Sequence, residues 1–102
     1  MDGRNHILIS GRLGQNPDLK YTRKQEPVCY FSVAEQVEGS DKPRWHKVIV
    51  WGKQAESCSV FLKKGNHVFV QGQKKEREFA NEAGELKKCV EFKADLVAFS
   101  LA

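Results

Sequence analysis

Two tryptophans and a lysine stand at alternate positions in the segment RWHKVIVW, residues 44–51. Side chains of an extended strand point to opposite faces in turn. Trp45, Lys47, Ile49 and Trp51 therefore share one face, and His46, Val48 and Val50 share the other. Val48 and Val50 mark the core side, which leaves two indoles and an ammonium group outward. Exposed large aromatic side chains call for a partner. A neighbouring loop or subunit laid over the rings would supply one. Single-stranded nucleic acid would supply another: bases stack on ring faces at ~1–3 kcal/mol each, while Lys and Arg follow the phosphates.

The segment QKKEREF, residues 73–79, repeats this chemistry. Lys75, Arg77 and Phe79 fall on one face, and Lys74, Glu76 and Glu78 on the other. Charges that protect a solvated edge hairpin from aggregation fit the same pattern, but beside the tryptophan strand a clamp for a polyanion fits better. Arg12, Lys20, Arg23, Arg44, Lys53, Lys63 and Lys64 are further candidates to line a groove, although each alone is also an ordinary surface charge. An enzyme is hard to build from this chain. GRLGQN is not a phosphate-cradling loop, no Ser, His and Asp form a nucleophile elbow, and His46 falls on the core side of its strand. The expectation is a binding protein with no catalytic residue, no metal and no cofactor.

Composition bounds the rest. The chain has 102 residues, enough for one domain. Hydrophobic residues make up 40% and charged residues 29%, the balance of a globular chain. No run approaches the ~18 apolar residues of a membrane span, and the N-terminus lacks the pattern of a signal peptide. The net charge of +4 suits a polyanion partner and equally an ordinary basic surface. Three widely spaced cysteines, Cys29, Cys58 and Cys89, without a CxxC pair, make a poor disulfide framework and fit a reducing cytoplasm.

The elements that must position these residues are mostly strands. Apolar runs are short and punctuated by turn residues. Strands are expected over 5–13, 27–34, 44–51, 66–79 and 86–99, with a bulge or bend at Gly11. Turns are expected at 14–18, around Gly39–Asp41 and at 81–85. Over 53–63, Ala55, Cys58 and Leu62 recur at helical spacing, Lys63 and Lys64 suit the C-terminal end of a helix dipole, and Gly65 suits its cap. The order β-β-β-α-β-β is that of an OB-fold: all-β, a five-stranded Greek-key barrel with one short helix between strands three and four.

At this point the chain resembles the bacterial single-stranded DNA-binding proteins. GRLGQNPDLKY (11–21), WHKVIVWGKQAE (45–56), FLKKGNHVFVQG (61–72) and the closing hairpin carry the resemblance, which runs from Asn5 to Phe99. It implies an OB-fold that assembles as a homotetramer, less often a dimer, with DNA wrapped over the outside. It implies stacking aromatics at Trp45, Trp51 and Phe79, Lys53 following the strand as in the family, and His46 at a subunit interface, where His6 and His67 join it as candidates. It implies a role in replication, recombination and repair in the bacterial cytoplasm, at the nucleoid. Three departures stand out. Residues 35–44 are short and hold no aromatic, Phe79 replaces the usual tryptophan, and the chain stops at Ala102 without the family's Gly/Pro/Gln-rich linker and acidic tip. Partners recruited through that tip are accordingly not expected. The runner-up is an interaction protein of replication restart, similar to primosomal replication protein B, but GRLGQNPDLKY and WHKVIVWGK match the single-stranded DNA-binding proteins much more closely.

Overall fold

The computed structural model describes residues 6–99. The elements are β1 (Ile7–Leu13), β2 (Asp18–Tyr21), β3 (Pro27–Glu35), β4 (Arg44–Trp51), α1 (Lys53–Phe61), β5 (His67–Ala80) and β6 (Leu86–Phe99). Neighbouring strands run β1-β5-β6-β4-β3-β2, and β1 also pairs with β3. That last pairing, Arg12 with Ala34 and Leu13 with Val33, closes β1, β3, β4, β6 and β5 into a ring. β4 and β6 run parallel and the other pairs antiparallel. This is the OB-fold connectivity, with the helix between the third and fourth barrel strands, as expected.

The alternation read from the sequence is the alternation of burial. Phe31, Val33, Val48, Val50, Val68 and Val70 point inward and are almost completely buried, with Ile9, Leu13 and Phe92 beside them. Ala55, Cys58 and Leu62 of the helical segment plug the barrel. Burying such a set drives closure at about 25 cal/mol per Å² of apolar surface. Gly11 sits where the barrel closes. A Cβ there would collide with the Ala34 carbonyl, so the residue serves close approach of two backbones, where a bulge or bend was expected. The bulge lies instead at Gln71/Gly72, opposite β6.

Several expected boundaries move by a residue or two, and three changes bear on the surface. Residues 18–21, of which only Asp18 was expected in a turn and the rest in no element, form the edge strand β2 on β3, because Leu19 packs against the core and pairs with Cys29. The helix ends at Phe61 rather than 63: Leu62 turns extended (φ −94°), so Lys63 and Lys64 lie past its last turn. Gly65, expected as the cap, takes its positive φ (90°) in the tight turn leading to β5. Residue 5, the expected start of the first strand, lies outside the described residues.

Two features place the surface side chains. Gly52 (φ 80°) turns the chain from β4 directly into α1, a conformation glycine adopts without a Cβ penalty. In the first helical turn, the Gln54 amide then donates to the Asp95 carbonyl (3.1 Å) and accepts from the Val97 N–H (2.7 Å). These bonds secure β6 where the bulge interrupts its ladder. Beyond the bulge, β5 and β6 leave the barrel as a two-stranded arm. It is tipped by Asn81, whose side-chain oxygen accepts from the Ala83 and Glu85 N–H groups at 3.0 Å each.

Candidate nucleic-acid interface

The outer face of β4 carries the four side chains expected there. Trp45 is 58% exposed and Trp51 43%, while His46, Val48 and Val50 are buried. Strand register extends this face in both directions, since directly paired residues project to the same side. One row crosses the sheet through Asp18, Tyr30, Ile49, Lys93 and Gln73. A second runs through Arg12, Ala34 and Trp45, and a third through Lys20, Val28 and Trp51. Along the arm, Lys75 faces Glu91, Arg77 faces Cys89 and Phe79 faces Lys87. The outer face of β4 and the arm's Lys75–Arg77–Phe79 ridge thus belong to one surface. The parallel pairing of Ile49 with Lys93 joins them.

The electrostatics of this surface favour an anion. Lys20, Lys47, Lys75, Arg77, Lys87 and Lys93 share it with Asp18 and Glu91. Both acids are paired: Lys20 Nζ lies 3.6 Å from Asp18, and Arg77 lies 3.2 Å from Glu91. Lys47, Lys75, Lys87 and Lys93 form no ion pair among the described residues, and all four are exposed. Phe79 is 41% exposed on the same ridge.

The remaining candidates divide into two groups. Arg12 lies in register with Trp45's row, but its guanidinium donates to the Gly65 carbonyl at 2.9 Å. Lys63 and Lys64 sit in the turn beside it, tied through the Lys64 N–H to Asn16 (2.8 Å), two residues from Gly14 beneath Trp45. Lys53 follows Trp51 at the start of α1 and is exposed. Arg44 stands at the mouth of a cleft of about 250 Å³ where β4 and β6 diverge, with Trp45, Lys47, Lys74 and Phe92 around it. Arg23, in the loop after β2, is exposed and has no register position on this face.

The histidines sit elsewhere. His46 is 8% exposed, its Nε2 is 3.0 Å from Glu35 Oε1, and its ring meets Phe92 edge-on at 6.3 Å. Glu35 also lies 4.0 Å from Arg44. His6 pairs with Asp95 at 3.3 Å, and His67 packs edge-on against Phe69 at 5.0 Å. Among the described residues no cluster of His, Cys, Asp or Glu is arranged to hold a metal ion. Among the described residues no helix is long and apolar enough to cross a membrane.

Tyr30 and Lys93 belong to this surface and were not singled out from the sequence. The signal was present: Cys29, Phe31 and Val33 face the core, so Tyr30 must face out, and Phe92 and Ala94 do the same for Lys93. A second exposed face was also missed. Leu8, Gln71 and Leu96 form one row across β1, β5 and β6, and Ser10, Phe69 and Ala98 form the next. Leu8 is 66% exposed, Leu96 54% and Phe69 44%.

The chain is 32% identical over 98 residues to single-stranded DNA-binding protein 1 of Chlorobaculum tepidum, an alignment that covers 87% of this chain. The chain spans about 60% of the length of that relative. The single-strand binding protein family matches residues 4–100. With every described residue inside that match, the chain belongs to the single-strand binding protein family.

Proposed function

We propose that this protein binds and protects single-stranded DNA without regard to sequence, in the replication, recombination and repair of bacterial DNA. The observation that carries the reading is the single outer surface on which Trp45, Trp51 and Phe79 alternate with exposed lysines across β4, β6 and β5. Bases stack on the rings, a contact every base can make, so binding tolerates sequence. Phosphates meet Lys47, Lys53, Lys75 and Lys93, with Arg12, Lys20, Arg44, Lys63, Lys64 and Arg77 at the margins. Counterions are released as they do so, and affinity falls steeply with salt. Coating a strand in this way involves no bond cleavage, no metal and no nucleotide cofactor.

The protein works as a homo-oligomer, with a tetramer as the favoured state and a bacterial cytoplasm as its setting. Two features support assembly. β1 pairs with β5 over residues 7–12 but with β3 only at Arg12 and Leu13, so that among the described residues one backbone edge is open over residues 7–11. The apolar rows of Leu8, Phe69 and Leu96 adjoin that edge. Open edges and apolar faces of this kind are normally covered. His6, His46 and His67 are the histidines proposed to contribute to subunit contacts.

The test is quenching of tryptophan fluorescence by oligo-dT, titrated at low and high salt. Strong quenching with salt-sensitive affinity supports the proposal. Absence of quenching in a folded sample would remove it and turn attention to a protein partner over Trp45 and Trp51. Sedimentation across a concentration series reads the oligomeric state.

A further inference from the structure

Residues 35–44 contain no aromatic residue, so stacking surface on the β3 side of the tryptophans must come from the sheet itself. Tyr30 supplies it. The ring is 37% exposed on the outer face of β3, and Tyr30 is paired in register with Ile49, two residues from Trp51 along β4. Lys20 of β2 reaches over the ring, with Nζ 5.7 Å from its centroid. A shallow hollow of about 170 Å³ adjoins the tyrosine, walled by Gln15, Tyr30, Ser32, Lys47 and Ile49. Lys20 does not border this hollow and Tyr30 does. The hollow thus has an aromatic wall, an apolar floor at Ile49, an ammonium at Lys47, and an amide and a hydroxyl at Gln15 and Ser32.

These are the groups that one nucleotide needs. A flat base stacks on a phenol ring as on an indole, its polar edge finds the Gln15 amide and Ser32 hydroxyl, and its phosphate meets Lys47. Asp18, opposite Tyr30 in register, would repel that phosphate, but Lys20 pairs with it at 3.6 Å. Resting on the single-stranded DNA reading above, we infer that Tyr30, with the hollow beside it, is a further nucleotide subsite. The strand then runs across the sheet from the arm over β4 to the β3–β2 edge, rather than along β4 alone.

Two measurements test this. In oligo-dT titrations, Tyr30→Ser weakens binding by roughly 5- to 150-fold, the span that corresponds to one lost stack of about 1–3 kcal/mol. Tyr30→Phe, which keeps the ring, recovers most of that loss. In the unmodified protein, ultraviolet cross-linking to oligo-dT carrying 5-iododeoxyuridine places adducts on the peptide containing Tyr30. If Tyr30→Ser binds as tightly as the wild type while Trp51→Ala is weakened, or if adducts form only at Trp45, Trp51 and Phe79, the subsite is overturned and the DNA-binding reading stands. If Trp51→Ala and Trp45→Ala also bind like the wild type, the DNA-binding reading falls, and the subsite falls with it.

Discussion

The Trp45 ring lies directly over Gly14: a Cβ built at position 14 would overlap the six-membered edge of the indole. Gly14 is held there by its N–H, which donates to the Ser32 carbonyl at 3.0 Å. A glycine in the first loop thus sets the pose of an aromatic on the third barrel strand, although 31 positions separate them. With its inner edge seated on backbone, the ring keeps its other side open to a base. Holding the ring in one orientation spares the entropy of fixing it on binding.

Gly14→Ala is expected to push the ring off this seat. Trp45 is 58% exposed, so the fold tolerates the shift and the melting temperature changes little. Single-strand affinity falls by up to the value of one stack, about 1–3 kcal/mol, as it does for Trp45→Ala. Fluorescence titration of both variants with oligo-dT checks this. Wild-type affinity in Gly14→Ala would show that the ring's pose is immaterial.

The Arg77–Glu91 pair at 3.2 Å holds one cation of the arm in reserve. Glu91→Gln removes a negative charge from the path of the strand and releases the guanidinium to a phosphate. Binding tightens at low salt, and the plot of log affinity against log salt steepens by about 0.7, the value of one added contact on a single strand. An unchanged slope would place the arm outside the DNA path.

Gln54→Ala removes both bonds to the bulged segment of β6 and leaves the Asp95 carbonyl and the Val97 N–H without those partners. A loss of about 1–3 kcal/mol in denaturant unfolding is expected. The salt slope of binding stays constant, because the amide carries no charge. The two readouts separate a structural role from a binding one.

Burial pushes the Cys29 thiol up to about 11, with Asp18 adding to the shift, and the Cys58 thiol up to about 12, with Cys29 adding to it. Both start from 9.0, so the folded state holds these protons longer than the unfolded chain. Their contribution to stability is complete below pH 9 and is lost as pH rises from there toward 11 and 12. Denaturant midpoints are expected to fall on moving from pH 8 to pH 10, less so in Cys58→Ala. With a thiol reagent at pH 8, half-buried Cys89 reacts first, and Cys29 and Cys58 react only as the protein opens.

How much of this was legible beforehand depends on the range of the interaction concerned. Strand alternation is a local rule, and it placed Trp45, Lys47 and Trp51 outward and His46 inward from their spacing alone. The same rule separated Lys75, Arg77 and Phe79 from Glu76 and Glu78, and helical spacing found Ala55, Cys58 and Leu62. It held because one side of each element must bury apolar surface. β2 was missed because four residues carry too little pattern to distinguish a strand from a turn; Leu19 packing on the core decides it.

Nothing local could say which faces become neighbours. The parallel register of Ile49 with Lys93 joins the tryptophan strand to the arm, and the pairing of Tyr30 with Ile49 brings β3 onto the same surface. Barrel closure sets both, through contacts between residues far apart in the chain. The types and outward direction of the candidate binding side chains are therefore written in the sequence. Their assembly into one continuous surface, the pairing of Arg77 with Glu91 and the seating of Trp45 on Gly14 arise only when the strands close on a shared core.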